Sequence, residues 1–188
     1  MSNHVISHTP NTERRKLTYY MDDSKFEQLV RDNPDLFEKS DEEYFGVGNG
    51  WYNVLRILCG FISHDVNQAR RRLQFALDNP DNKFAESIPE LEKKLEQAIE
   101  ELPTIEQVKE KFGTLRFYVA GGNASVHSYI EFAEAMTSIT CEECGAPGES
   151  RNDGWVKVLC DKHHKERNVE YNRITTSFSK IAPKLSDE

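Results

Sequence analysis

Residues 141–165 read CEECGAPGESRNDGWVKVLCDKHHK. Cys141 and Cys144 stand two residues apart, with Gly145 directly behind them, and Cys160 and His163 repeat the x2 spacing after a gap of fifteen residues. A divalent zinc ion takes four soft or borderline donors in a tetrahedron, and thiolate and imidazole supply them. An x2 spacing lets a tight turn bring two donors to one ion, and glycine relaxes the backbone as it rounds the metal. Between the pairs, Asp153-Gly154 is a hairpin-turn signal, and Trp155, Val156, Val158 and Leu159 read as a strand. A helix beginning near Cys160 would put positions i and i+3 of its first turn, Cys160 and His163, on one face. Knuckle, hairpin and helix start together predict a treble-clef-like zinc finger over 141–170. His164, at i+4, is the rival fourth ligand, and the x2 spacing favours His163. All four donors come from the protein, so the expected Zn²⁺ is structural, with no coordination position left for substrate. The competing reading, unrelated free thiols packed as small hydrophobes, does not account for both spacings. Cys59 is set apart because it falls on the apolar stripe of a helix.

That helix lies upstream. Trp51, Val54, Leu55, Leu58, Cys59 and Ile62 follow one another at i, i+3, i+4, i+7, i+8 and i+11, a continuous apolar stripe at helical period, with Asn49 as its expected cap. Val66, Ala69, Leu73, Ala76 and Leu77 continue the pattern to Asn79-Pro80, as one long helix or as two with a break near Ser63–Asp65. Ser24-Lys25-Phe26-Glu27 and Ser87-Ile88-Pro89-Glu90 have capping-box spacing and open two more helices. The first should stop before Asn33-Pro34. The second buries Leu91, Leu95, Ala98, Ile99 and Leu102, with Glu90 and Lys94 as an i,i+4 pair, and ends at Pro103. Residues 38–50, acidic and then carrying Gly46, Gly48 and Gly50, read as a loop. Ser125–Ile139 reads as a helix with Val126, Ile130, Ala133 and Met136 or Thr137 facing inward, and it delivers the chain directly to Cys141.

Residues 105–120, IEQVKEKFGTLRFYVA, read as a β-hairpin with a two-residue turn at Gly113-Thr114, although their first half could also be helical. Pairing outward from that turn sets Phe112 opposite Leu115, Lys111 opposite Arg116, Glu110 opposite Phe117, Lys109 opposite Tyr118 and Val108 opposite Val119. Phe112 then belongs to the apolar face, and Lys109, Lys111, Arg116 and Tyr118 share the other, a candidate contact for an anion or a nucleic acid. The fold class expected is therefore α+β: a disordered arm at 1–20, a helical body with a β-hairpin at 21–140, the zinc module at 141–170 and a tail at 171–188.

The chain has 188 residues, 37% hydrophobic and 30% charged, with a net charge of −8. Nearly all of that excess lies before residue 141, because 141–188 carry eight Lys/Arg against nine Asp/Glu. Nucleic-acid binding would need a local basic patch working against this background. Arg70-Arg71-Arg72 is a second basic run, and 22–43 is an acidic block with nine Asp/Glu against three Lys/Arg. No run of apolar residues approaches a membrane span, and residues 1–20 lack the apolar core of a secretory leader, so a cytoplasmic protein is expected. G-x-S-x-G, a Walker loop and a G-x-G-x-x-G in strand–helix context are all missing.

Two resemblances follow from these residues. Leu159-Cys160-Asp161-Lys162-His163-His164-Lys165 resembles the zinc end of HNH nucleases. No histidine lies between Cys144 and His163 to serve as the family's catalytic base, and His4, His8, His64 and His127 fall in the arm or on helices. More extensively, Gly50-Trp51…Leu58-Cys59, then 107–119 (QVKEKFGTLRFYV), then Cys141-x2-Cys144-Gly145…Gly154-Trp155…Leu159-Cys160 resemble a group of uncharacterised phage and prophage proteins. The likeness spans about 45–165, with 64–104 a longer insertion than usual. Many members carry cysteine where this chain has His163. The resemblance implies a phage or prophage origin and the bacterial host cytoplasm, and it supplies no chemistry. The expected function is that of a small, zinc-stabilised, non-enzymatic phage accessory protein acting on a host or phage macromolecule, with a protein partner. The alternative is a nucleic-acid-binding protein or a degenerate HNH-type nuclease.

Overall fold

The Trp51 stripe is the axis of the molecule. In the computed structural model, which describes residues 21–38, 45–82 and 86–181, it forms a 3-10 turn (Asn49–Trp51) followed by helix α3 (Tyr52–Ile62). Ahead of it come α1 (Asp23–Asp32), α2 (Pro34–Phe37) and a short strand β1 (Phe45–Gly46). Behind it come α4 (His64–Asp78), α5 (Ile88–Glu100), β2 (Thr104–Lys111), β3 (Thr114–Ala120), α6 (Ala124–Thr137), β4 (Glu149–Arg151), β5 (Lys157–Leu159) and α7 (Asp161–Ile181). The architecture is mixed helix and strand, α+β. The arm at 1–20, His4 and His8 with it, lies outside the described residues, as do 39–44 of the acidic block and the tail beyond 181. The tail expected from 171 begins as helix, because α7 runs past residue 170 to Ile181.

One apolar cluster unites the body. Leu55, Leu58, Cys59 and Ile62 of α3 share it with Ile105, Val108, Leu115 and Phe117 of the hairpin and with Val126, Ile130 and Ala133 of α6. At one edge Phe26, Phe37 and Phe45 meet with ring centroids 5.0–6.1 Å apart, tying α1, α2 and β1 together. Burial at this scale is the dominant stabilising term of a domain. The break near Ser63 resolves as two helices. α4 and α5 pack along each other outside the main cluster, and of the span 64–104 only Leu102 packs against that cluster. Leu77, expected on the buried stripe of α4, is exposed, whereas Val66 and Ala76 are buried.

Local signals were realised unevenly. Ser87 donates through both its amide and its hydroxyl to the Glu90 carboxylate, which the hydroxyl bond chiefly holds below the usual carboxylate range. Lys94, expected opposite Glu90, pairs with Glu86 instead. The Ser24–Glu27 box does not form, because the helix starts at Asp23 with Asp22 as its cap residue. Asn49, expected to cap the Trp51 helix, sits in the 3-10 turn and accepts the Asp22 amide at 2.8 Å, which pins the start of α1 to the start of α3.

The hairpin turn lies one residue earlier than expected, which shifts every cross-strand partner by two residues. Val108 faces Phe117, Lys109 faces Arg116, Glu110 faces Leu115 and Lys111 faces Thr114, with a bulge between Ile105 and Gln107. The turn is therefore Phe112-Gly113, with positive φ at both positions (54° and 79°). This is the I′ sense, whose twist matches that of the flanking strands, whereas the Gly113-Thr114 alternative would require positive φ at glycine alone. The slip removes Phe112 from the apolar face and leaves it 69% exposed at the tip. Lys109, Lys111, Arg116 and Tyr118 still share the opposite face, since the alternation of each strand is unchanged.

The sheet order is β1-β2-β3, with β1 parallel to β2 and β2 antiparallel to β3. An edge strand such as β3 exposes N–H groups that invite foreign pairing. Here α6 caps them: the Leu115 amide donates to Thr137 Oγ1 and the Phe117 amide to Glu134 Oε1, both at 3.0 Å. Of the two inward candidates near the end of α6, the buried one is Thr137.

A bulky residue in the left-handed region carries strain of about 1 kcal/mol, which asparagine largely avoids. Phe112→Asn should therefore stabilise the protein by about 0.5–1 kcal/mol, read as a rise in the urea midpoint at unchanged slope. Thr137→Val should cost about 1–3 kcal/mol, because it leaves the Leu115 N–H buried without an acceptor.

Candidate metal centre

The knuckle begins where α6 ends. The Gly145 amide donates to Cys141 O at 2.8 Å, closing the turn, and the Cys141 amide donates to Ala146 O at 2.8 Å. Gly145 has φ 77°, which a side chain would resist. The Glu142 amide donates to Val158 O at 3.0 Å and so joins the knuckle to β5. β4 and β5 pair antiparallel, from Glu149 opposite Leu159 to Arg151 opposite Lys157. Asp153-Gly154 lies in the longer connection between them. Trp155, expected in the strand, precedes it and is 66% exposed.

β5 hands the chain to α7, and its first turn brings the second pair of donors to the first. One ligand atom from each of Cys141, Cys144, Cys160 and His163 lies within 4.8 Å of all the others. Cys144 Sγ is 3.9 Å from Cys160 Sγ, and His163 Nδ1 is 3.4 Å from Cys141 Sγ and 3.3 Å from Cys160 Sγ. Donors at zinc–sulfur and zinc–nitrogen lengths on a tetrahedron would be separated by about 3.8 Å (S to S) and about 3.6 Å (S to N). The donor set and its spacing fit a metal ion. His163 turns Nδ1 to the cluster and Nε2 toward Glu166, 3.7 Å away, the side on which an outer carboxylate orients a ligating imidazole. His164 points elsewhere, to Asp153 and Asn168, and takes no part in the cluster. Cys59 is fully buried in the body, where burial pushes its thiol up to about 12. Burial likewise pushes Cys141 up to about 11, whereas hydrogen bonding, chiefly from the His163 backbone, holds Cys160 down to about 7.

The glycine-rich loop, read from sequence as plain loop, is half of the centre's foundation. The Gly50 amide donates to Glu142 O at 2.7 Å. A Cβ on Gly50 would lie 2.1 Å from Cys141 O, and one on Gly48 would lie 2.5 Å from Glu142 O. Trp51, fully buried, donates from Nε1 to Thr140 O at 3.0 Å. Backbone therefore meets backbone where 48–51 supports 140–142. Glycine at every second position was the available signal for such a close approach.

A buried ion pair completes this support. Lys157 Nζ lies 2.6 Å from Glu142 Oε2, and the two side chains are 6% and 1% exposed. Burial pushes the Glu142 carboxyl above the usual carboxylate range, and the Lys157 ammonium opposes that shift. The hairpin tip closes the other side. Glu110 accepts from the Gly113 amide at 2.6 Å and from Trp155 Nε1 at 2.9 Å, and Gly113 packs against the backbone of Lys157. Neither Glu142, Lys157 nor Glu110 carried a sequence signal, because each acts through a partner distant in the chain.

The anion-contact candidates lie apart from this centre. Lys109 Nζ stands 5.4 Å from the Tyr118 ring centroid, and Arg116 Nη1 is 3.8 Å from Glu134, so one of the three cations is partly balanced. Arg70 bonds both oxygens of Asp35, so the arginine run is also partly spent within the fold. No family model, curated protein or solved structure matches the chain. Among the described residues no helix is long and apolar enough to cross a membrane.

Gly50→Ala should destabilise the protein by at least about 3 kcal/mol, the upper end for overpacking, because rigid backbone rather than a side chain is in the way. Lys157→Met should cost about 3–5 kcal/mol by stranding the Glu142 charge, and the double change to Glu142→Leu/Lys157→Met should recover most of that loss. Both are read from urea unfolding.

Proposed function

We propose that this chain is a small, non-enzymatic phage accessory protein whose C-terminal module is a treble-clef-like zinc finger and which acts by binding a macromolecule. The observation that carries the reading is the closed Cys141/Cys144/Cys160/His163 donor set, drawn wholly from the protein and seated on backbone supplied by the body. Four protein donors leave a tetrahedral ion no position for substrate, which is the mark of a structural site. Knuckle, two-stranded hairpin and helix follow in the order a treble clef requires. Zn²⁺ would cross-link the end of α6 to the start of α7, and its binding energy would be folding energy. Phage origin and the host cytoplasm rest on the motif resemblance alone.

Nucleic acid as the macromolecule is favoured by one feature, the outer face of the sheet, where Lys109, Lys111 and Arg116 lie beside Tyr118. Cations interleaved with an aromatic suit a phosphate backbone and a stacked base. A degenerate HNH nuclease is less well supported, because His164, the one histidine beside the donor set that is left over to act as a base, is already engaged by Asp153 and Asn168.

Elemental analysis should give one zinc per chain. Chelation should lower the thermal midpoint by more than about 10 °C, consistent with the loss of several kcal/mol. Cys144→Ser and Cys160→Ser should each abolish zinc retention, and an ion-free chain with unchanged melting would refute the reading. For nucleic acid, labelled single-stranded DNA and RNA titrated across a salt series should bind with a steep salt dependence that Lys109→Glu/Lys111→Glu removes; no binding at low salt would eliminate that partner.

A further inference from the structure

Helix α6 is apolar on two opposite faces. Its inward face is committed to the core, yet Tyr129 and Phe132 stand on its outward side, and Phe132 is 68% exposed. A helix apolar all round is normally covered all round. The neighbouring α3 shows the same property, with Ile57 and Phe61 each about half exposed. The two helices run antiparallel: Trp51, at the start of α3, reaches Thr140 just beyond α6, while Phe61, near the end of α3, stacks on Tyr129 with ring centroids 5.2 Å apart. Ile57, Phe61, Tyr129 and Phe132 therefore form one continuous outer patch.

Two further features mark the patch. Charge is sparse there, although 30% of the chain is charged. α3 carries a single charged side chain, Arg56; α6 carries Glu131 and Glu134, and Glu134 is bound to the β3 edge. Gly60 lies in the last turn of α3 on its exposed side, with nothing among the described residues within 4 Å of where its Cβ would be. The lack of a side chain there leaves room for the close approach of another backbone.

We propose that the outer face of α3 and α6 is the interface of a two-fold homodimer, in which the helix pair of one copy packs on that of a second copy as a four-helix layer. The charges select a second copy and its orientation. Arg56 and Glu131 are exposed on opposite flanks of the patch, and neither forms an ion pair among the described residues. A two-fold axis along the helices sets the α3 of one copy over the α6 of the other and brings Arg56 of each toward Glu131 of its mate. The alternative axis, across the helices, sets α3 over α3 and α6 over α6, so that Arg56 faces no Glu131, and is disfavoured. An isologous contact of this kind repeats each complementary pair twice. The stacked Phe61 and Tyr129 rings are already ordered in the single chain, so they enter the contact at little entropic cost.

The test is sedimentation equilibrium of the metal-loaded full chain, with zinc content and circular dichroism as controls for folding. A dimer of twice 21.7 kDa is expected. Phe132→Glu should give a folded monomer, and Arg56→Glu should weaken dimerisation about tenfold or more. Adding Glu131→Arg to Arg56→Glu should restore the dimer to within a few-fold of the original, which nonspecific apolar association could not do. A monomer at the highest soluble concentration, a dimer indifferent to Phe132→Glu, or a charge swap without rescue would each overturn the proposal. A wild-type monomer whose face is protected only by a different protein would overturn it as well.

Discussion

The structure depends on a close contact between two pieces of backbone. Residues 48–51 lie against 140–142 so closely that a methyl group on Gly50 would meet a carbonyl oxygen at 2.1 Å. That contact lets the Gly50 amide and the Trp51 indole hold the chain immediately before and within the cysteine knuckle. A C-terminal module joined to the body through one helix end could otherwise pivot. Here the first knuckle is built on the start of α3, the same helix that organises the core. Donor cluster and apolar core are thereby coupled, and loosening either should loosen the other.

Around this contact, polar groups are used where apolar packing cannot act. Thr137 and Glu134 occupy the N–H groups of the β3 edge, and Glu110 joins the hairpin tip to Trp155. The Glu142–Lys157 pair sits in the seam under the knuckle. Such a pair adds little net stability compared with an apolar replacement, but it penalises every arrangement that separates its members. Its contribution is to fix how β5 and the knuckle are seated on each other, and so where Cys160 and His163 arrive.

Several elements were legible in the sequence because their causes are local. The Trp51–Ile62 stripe, the Ser87–Glu90 cap and the inward face of α6 follow from helical spacing, and each depends only on residues within a few turns. The metal donors were legible for a related reason: x2 spacing is a property of the chain, and thiolate with imidazole is a chemistry few other arrangements need. The hairpin was legible as a hairpin but not in its register. The choice between Gly113-Thr114 and Phe112-Gly113 turns on strand twist and on docking against Lys157, and neither is written in the local pattern.

By itself, the sequence determined that the chain is an α+β protein with a stripe-bearing helix, a hairpin with one charged face and a Cys3His donor set. These are statements about periodicity, turn chemistry and ligand type. The tertiary structure decided which histidine joins the donors, since the first turn of α7 aims His163 inward and gives His164 to Asp153. It also decided that glycines 48 and 50 support the donor cluster, that Glu142 and Lys157 meet in the interior, and that two helices keep an apolar side facing outward. Each of these joins residues far apart in the chain, and a contact of that kind exists only once the intervening elements have packed.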